Sequence, residues 1–443
     1  MRFQPPAYVL SALALLHAKG HKAYLVGGCV RDTCLGRKAG DYDIATSAAP
    51  DETRAVFSAY RQIETGIRHG TLTVLMEGQP LEVTTFRTEG TYSDGRHPDK
   101  VRFTTNIDDD LLRRDFTVNA MAWHPETGLY DPLNGRQDVS LRLLRAVGQA
   151  ARRFEEDSLR ILRALRFACQ LGFQIEAETL QAMMDKAKGL EHVSMERVAH
   201  ELNLALLGDH APSALRAYPR VLFLALPELS PMLHTPQRTP FHSYDVWEHT
   251  LRTLEGTPKH LALRWAALYH DSGKPGAITY DPDGTTHFSG HQRVSAKFAR
   301  DAMLRLKQPR ALSEVVATLV LRHDDRIGPD NLRLLLSSLG KETLDRLLLL
   351  QRADIAAHAP KVAAQAVKID RLMDEAARLV HEGAAMNLRD LAVDGADLLT
   401  LGFRQDAALG TALQQLLHLV LSGQLNNERD ALLKAAEGLL KEK

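Results

Sequence analysis

The chain has 443 residues, with 55 Lys and Arg against 55 Asp and Glu, so its formal net charge is zero and a uniformly basic nucleic-acid binder is excluded. A hydrophobic content of 44% supports several cores, and the length implies roughly two to four domains. Three cysteines (Cys29, Cys34 and Cys169) with no Cys-x-x-Cys pair exclude a disulfide framework and a cysteine zinc site.

The apolar stretch from Val9 to Leu16 is broken by His17 and Lys19, and no later run reaches the length of a membrane span. A cytoplasmic protein with no membrane partner is expected. Tyr24-Leu25-Val26 then reads as a buried strand, and Gly27-Gly28 after it lets the backbone approach phosphates closely. Backbone N–H groups there can cradle a triphosphate. Asp41 and Asp43 are two residues apart, so on an extended strand both carboxylates point to one face and can share divalent cations, with magnesium suited to such oxygen ligands. An isolated Asp-x-Asp is more often turn chemistry; the glycine pair upstream is what favours catalysis here. Thr71 to Met76 and Leu81 to Phe86 are β-rich runs around Glu77-Gly78-Gln79-Pro80, which reads as a hairpin. Glu82 on the second run either faces solvent or adds a third carboxylate to the Asp pair. Thr88 to Pro98 is rich in turn formers and charge and reads as a flexible loop.

The region to about residue 140 mixes strands and helices and closes at Asp131-Pro132-Leu133-Asn134-Gly135; everything after it reads as helix. Glu156-Asp157-Ser158-Leu159-Arg160 opens a helical pattern with Leu159, Ile161, Leu162, Leu165 and Phe167 apolar and Arg160, Arg163 and Arg166 at spacing three. Asp157 and Arg160 would then share one helix face, either as a surface ion pair or as a functional pair. The arginine-rich stretch from Leu141 to Phe167 is either a solvated face or a path for an RNA backbone. Pro227, Pro231, Pro236 and Pro240 punctuate a linker ahead of a histidine-rich module, in which His249, His270, Asp271, His291, His323 and Asp354 are natural ligands for a divalent metal. His242, His287 and Asp324 lie nearby as loop residues. Asn387 to Leu440 carries further helical patterns.

Four blocks resemble the class II tRNA nucleotidyltransferases, the CCA-adding enzymes, within the family that also holds bacterial poly(A) polymerases. They are Gly27-Gly28-x-Val30-Arg31-Asp32 with Asp41-x-Asp43; Arg113-Arg114-Asp115-Phe116-Thr117-Val118-Asn119-Ala120; Glu156-Asp157-x-x-Arg160; and Glu196-Arg197-x-x-x-Glu201-Leu202. Any one can arise by chance, but four in this order are specific. His270-Asp271-Ser272-Gly273-Lys274-Pro275, with His249 before it and Asp354 after it, resembles the core of an HD-domain phosphohydrolase.

The resemblance implies an α+β protein. A mixed-sheet nucleotidyltransferase head (1–140) would precede an all-α neck (141–225), an HD-containing body (226–385) and a helical tail (386–443) that binds tRNA. The implied reaction is template-independent addition of C, C and then A to the 3′ end of tRNA from CTP and ATP, with pyrophosphate released. Asp41 and Asp43 would hold Mg2+ with help from Glu82. Gly28, Arg31 and Arg114 would meet the triphosphate, and Asp115 and Asn119 the ribose; out of context, Arg113 to Asp115 reads more readily as a solvated cluster opening a helix. Arg163 and Arg166 complete the implied nucleotide-binding set. Cytosine and adenine both present an amino donor beside a ring-nitrogen acceptor, so Asp157 and Arg160 would admit them and reject uracil and guanine. Glu196, Arg197 and Glu201 would brace the selecting helix and orient Arg160, and the loop at 88–98 would serve the switch from C to A. At the HD module, His249, His270, Asp271 and Asp354 would hold one divalent metal of unspecified identity. His291 and His323 would allow a second, with phosphohydrolase activity on tRNA 3′-end or cyclic phosphates. A-adding and poly(A)-polymerase readings share the head, though the charge-balanced stretch Leu439 to Lys443 is no basic RNA-binding tail. An HD hydrolase whose head only binds RNA is opposed by the intact Asp41, Asp43, Arg114 and Asp157.

Overall fold

The computed structural model describes residues 3–89, 101–382 and 384–441. Two compact units divide the chain, Met1–Pro227 and Glu228–Lys443.

The first unit is built on strands β1 (Ala23–Val26), β2 (Asp43–Thr46), β3 (Arg61–Ile63), β4 (Thr71–Met76), β5 (Gln79–Thr85), β8 (Ala122–His124) and β9 (Gly128–Tyr130), with β6 (Arg87–Glu89) and β7 (Val101–Phe103) forming a separate ribbon. The order of the seven-stranded sheet is β3-β4-β5-β2-β1-β8-β9, mixed because β2 and β5 run parallel while the other pairs are antiparallel. In β4 every second side chain is buried (Leu72, Val74, Met76), as a strand with one face on a core requires. The hairpin to β5 turns on Glu77 and Gly78 alone, both with positive φ (51° and 77°), so Gln79 and Pro80 belong to the strand. The ribbon frames the expected loop, whose residues 90–100 lie outside the described residues. Val26, Ala45, Phe86, Leu111 and Ala122 form a core beneath the site described below.

Beyond residue 140 helices dominate, as expected, but not exclusively. Leu143–Leu144 pairs in parallel with Gln174–Ile175, and Thr279–Tyr280 pairs with Thr286–His287 around a turn containing Gly284 at φ 84°. Strands of two residues carry no readable period, which is why the sequence conceals them. The 156–160 segment also differs from its expected form. One helix ends at Glu156, Asp157 is extended (φ −146°, ψ 102°), and a second helix runs from Leu159 to Leu171. In the second unit, helices Val246–Gly256, Leu261–Tyr269, His291–Arg305, Arg310–Arg322 and Pro329–Ala356 carry the histidine-rich module. The helices of 395–441 pack around their own core, including Leu398, Leu416 and Leu432. Among the described residues no helix is long and apolar enough to cross a membrane.

Candidate active site and metal centre

Asp43 opens β2 and stands directly opposite Glu82 of the parallel strand β5, which puts both carboxylates on one face of the sheet. Burial, then the nearby Glu82, raise the Asp43 carboxyl to about 6 against the pull of Arg114, and Asp41 adds to the rise. Asp41 is exposed and precedes the strand, so the expectation that one strand carries both aspartates is corrected. The cause is β1, which ends at Val26 opposite Asp43 and leaves Asp41 no strand to pair with. Mutual repulsion among Asp41, Asp43 and Glu82 is what a bound divalent cation relieves, so the residues fit one. Gly27 turns the chain at φ 76°, a conformation that favours glycine, and a Cβ there would lie 3.1 Å from Arg114 Nη1, so that the guanidinium would have to shift.

A cavity of about 700 Å³ opens beside Asp43, within the size range of nucleotide-sized ligand sites. Eight arginines and three aspartates line it. Such an excess of positive charge calls for a polyanion. Arg31 Nη1 donates to Asn119 Oδ1 at 2.6 Å, Asn119 Nδ2 donates to Asp115 Oδ1 at 3.2 Å, and Arg163 reaches Asp115 Oδ2 at 2.6 Å. Burial works to raise the Asp115 carboxyl, but Arg163, Arg160 and Asn119 together hold it at about 2. The guanidinium carbons of Arg31, Arg163 and Arg166 lie 5.4, 5.7 and 4.3 Å from the centre of the Phe167 ring, which gathers them at one wall. Of the arginine-rich stretch, Arg160, Arg163 and Arg166 therefore face the cavity, whereas Arg152 is exposed.

Asp157 and Arg160 both line this cavity but do not share a helix face, because Asp157 sits in the break between two helices. Arg160 donates to Glu156 Oε2 (2.9 Å), to the Arg153 carbonyl and to the Arg113 carbonyl (each 3.0 Å). Arg197 holds Asp157 instead, with Nη2 2.7 Å from Oδ2. Glu201 pairs with Arg166 (3.0 Å) and lies 4.0 Å from Arg163. The bracing by Arg197 and Glu201 reaches Asp157, Arg163 and Arg166, while Arg160 is held by Glu156 and the Arg153 carbonyl of the preceding helix and by the Arg113 carbonyl.

In the second unit His249, His270, Asp271, His291, His323 and Asp354 converge. Each imidazole turns Nδ1 toward a backbone carbonyl: His249 to Ala357 (3.4 Å), His270 to Ala267 (2.8 Å), His291 to Phe288 (2.8 Å) and His323 to Val320 (2.7 Å). A carbonyl only accepts, so Nδ1 carries the proton and Nε2 faces inward. His249 and His270 lie 3.5 and 3.2 Å from Asp271 Oδ2, while His291 and His323 lie 3.2 and 3.6 Å from Oδ1; His249 also lies 2.8 Å from Asp354 Oδ1. Asp271 is buried, and neither of its oxygens makes a hydrogen bond of good geometry, although Lys274 Nζ is 2.7 Å from Oδ2. Inward nitrogens around such a carboxylate fit divalent metal ions, with Asp271 common to two groups of ligands.

The sequence matches the family described as “Poly A polymerase head domain” at residues 23–145, “Probable RNA and SrmB- binding site of polymerase A” at 172–230 and “HD domain” at 241–359. A CCA-adding enzyme of Lactobacillus delbrueckii subsp. bulgaricus is 34% identical over 423 residues, 96% of this chain and 95% of that one. The chain belongs to the CCA-adding enzymes. A CCA-adding enzyme of Geobacillus thermodenitrificans is 46% identical over a shorter match of 213 residues, which spans 48% of this chain and 52% of the relative. The crystal structure of the Bacillus stearothermophilus CCA-adding enzyme in complex with CTP aligns over 99% of both chains at 28% identity with a TM-score of 0.75.

As a CCA-adding enzyme, the chain also has site residues that its sequence did not single out. His69, Arg87 and Gln170 line the arginine-rich cavity, and no local pattern marks them. At the candidate metal centre, His358 accompanies His249 and Asp354; its spacing of four from Asp354 was the available signal. Lys274, three residues after Asp271, belongs to this group as well, and its ammonium donates to Gln237 Oε1 at 2.8 Å. His287 pairs with Asp281 at 2.7 Å, and the His242 ring packs against that of His358 at a tilt of 44°, with ring centres 4.4 Å apart.

Proposed function

We propose that this chain adds C, C and then A to the 3′ end of tRNA from CTP and ATP without a nucleic-acid template, in the cytoplasm. The carrying observation is the meeting of two chemistries at one place: Asp43, opposite Glu82 and near Asp41, lines a cavity that eight arginines share. Head, neck, HD-type body and tail correspond in this reading to 1–140, 141–225, 226–385 and 386–443. The terminal hydroxyl oxygen of tRNA bonds to the α-phosphorus, the bond to the bridging oxygen breaks, and pyrophosphate leaves. Asp41, Asp43 and Glu82 would hold Mg2+, which when bound neutralises phosphate charge and lowers the pKa of a hydroxyl. Gly28, Arg31 and Arg114 bind the triphosphate, with Arg163 and Arg166 beside them. Asp115 and Asn119 orient the ribose through the network that ties them to Arg31 and Arg163. Asp157 accepts from the exocyclic amino group of cytosine or adenine and Arg160 donates to the ring nitrogen; uracil and guanine present the reverse order. Incubation with tRNA lacking its 3′ end and single labelled nucleotides tests this. CMP, CMP and AMP should enter in that order. Incorporation of AMP only onto tRNA ending in CC would mark an A-adding enzyme, and long A tracts a poly(A) polymerase.

A second activity is favoured by the inward-facing histidines around Asp271 and Asp354: hydrolysis of 2′-phosphate or 2′,3′-cyclic phosphate ends. For the cyclic ester, a water oxygen bonds to phosphorus and one ribose P–O bond breaks. One water proton ends on the released ribose oxygen and the other on the new monoester. Phosphate release from such ends, with magnesium, manganese or nickel supplied, tests it.

A further inference from the structure

We propose that Asp110 is a positioning residue for nucleotide transfer: by holding Arg114 it keeps that guanidinium off Asp43 and leaves the Asp43 carboxylate open to a divalent cation. This rests on the reading above of Asp41, Asp43 and Glu82 as the Mg2+ carboxylates. Asp110 belongs to the helix Ile107–Leu112 and is 0% exposed, so it acts on a nucleotide only through its neighbours. A buried carboxylate is costly unless paired, and Asp110 is paired twice. Its Oδ1 accepts from Arg113 Nε at 2.9 Å and Nη2 at 2.7 Å, and its Oδ2 accepts from Arg114 Nη2 at 3.0 Å. Spacings of three and four bring such side chains together on a helical turn. Burial works to raise the Asp110 carboxyl, but Arg114 and Arg113 hold it below the usual carboxylate range, so it keeps its charge. Both arginines line the cavity beside Asp43.

The placing of Arg114 matters because Asp43 is near it. The point at which a Cβ on Gly27 would stand is 3.1 Å from Arg114 Nη1 and 3.9 Å from Asp43 Oδ2, so guanidinium and carboxylate border the same small gap. The two groups are natural partners, since a planar fork of N–H donors matches a carboxylate. The shorter contact of Arg114 nevertheless runs the other way: Nη2 is on Asp110, while Nη1 donates to the Asn119 carbonyl at 3.4 Å. An arginine closed onto Asp43 would neutralise the charge and occupy the oxygens that a hard divalent cation needs. Asp110 supplies the competing carboxylate that prevents this, and it does so from a buried position where water does not weaken the pair.

The test is a Mn2+ titration of the full chain read by electron paramagnetic resonance, with Asp43→Asn as the blank for ions bound elsewhere, the histidine centre included. Asp110→Asn should weaken the Asp43-dependent Mn2+ binding about tenfold, the worth of one charge-assisted hydrogen bond, and raise the half-saturating Mg2+ concentration for CMP incorporation to match. Adding Arg114→Gln to Asp110→Asn removes the competing cation and should return Mn2+ binding to the wild-type level, though not nucleotide incorporation. A general loss of packing is not repaired by a second substitution. A double variant that binds Mn2+ as weakly as Asp110→Asn therefore overturns the proposal, as does an Asp110→Asn protein with unchanged binding. If Asp110→Asn is unstable, Asp110→Glu carries the test: the longer side chain keeps the charge and moves Arg114 toward Asp43, and wild-type Mn2+ affinity in that variant overturns the proposal too. A wild type that binds no more Mn2+ than Asp43→Asn overturns the magnesium assignment itself, and the role of Asp110 with it.

Discussion

Arg197 donates to Asp157 at 2.7 Å across 40 residues of chain, tying the helix Met195–Leu206 to the break between Glu156 and Leu159. The backbone N–H of Leu159 donates to the other Asp157 oxygen at 3.0 Å. Both carboxylate oxygens are thereby oriented while Asp157 still lines the arginine-rich cavity. If Asp157 reads an amino group on the incoming base, Arg197 fixes the angle at which it does so. Arg197→Ala should then lower the preference for CTP over UTP by the worth of one good base contact, about 1 to 3 kcal/mol. Single-nucleotide incorporation ratios measure this. A slower enzyme with an undiminished ratio would leave Arg197 a purely structural brace.

The carboxylates proposed to hold Mg2+ make a sharper demand. Asp43 faces Glu82 across the parallel pair and is crowded by Asp41. Asp43→Asn and Asp41→Asn should each eliminate incorporation of both CMP and AMP, while the affinity for tRNA, measured by filter binding, changes little. Loss of only one nucleotide would contradict a shared centre for the three additions, and near-normal extension by either variant would contradict the metal assignment.

Much of this site was legible in the chain. Gly27-Gly28, the Asp pair and the Arg113 to Asn119 block carry residues of the right type in the right order, and the two β-rich runs, Thr71 to Met76 and Leu81 to Phe86, placed Glu82 on the second strand of a hairpin. The Asp157 and Arg160 relationship was not. Both flanking segments have helical periodicity, and no Gly or Pro marks the interruption between them. Only Asp157-Ser158, a pair of residues that compete for backbone hydrogen bonds, hints at it. The sharing of Asp271 between two groups of histidines was likewise hidden, since His249, His270, His291 and His323 sit on four different helices or their ends. Periodicity within an element says nothing about which ends converge.

Acid should loosen the head through Asp115. Its carboxyl is held at about 2 in the folded protein, below the usual value near 3.9. A depressed carboxyl contributes stability above its unfolded pKa and loses it as pH falls through the folded one, a window here from about 4 down to about 2. The contribution at neutral pH is roughly 2 kcal/mol. Urea unfolding of the wild type and Asp115→Asn should therefore differ at pH 7 and converge as pH falls through this window, provided the fold survives that far. A gap of constant size would show that Asp115 is held by something other than its charge.

The two candidate centres use different ligands in different units of the chain, so they should be separable. Asp271 is common to two ligand groups, one with His249 and His270 and the other with His291 and His323. Replacing its carboxylate by an amide should weaken cation binding at both positions, because metal affinity depends on each ligand. Asp271→Asn should accordingly lose cobalt binding to the histidine centre and release no phosphate from 2′-phosphorylated or 2′,3′-cyclic ends, while CCA addition to truncated tRNA continues. Asp43→Asn should give the reverse pattern. If Asp43→Asn also abolishes phosphate release, the chemistry runs through one shared centre. If Asp271→Asn binds cobalt as the wild type does, Asp271 is not the ligand that joins the two groups of histidines.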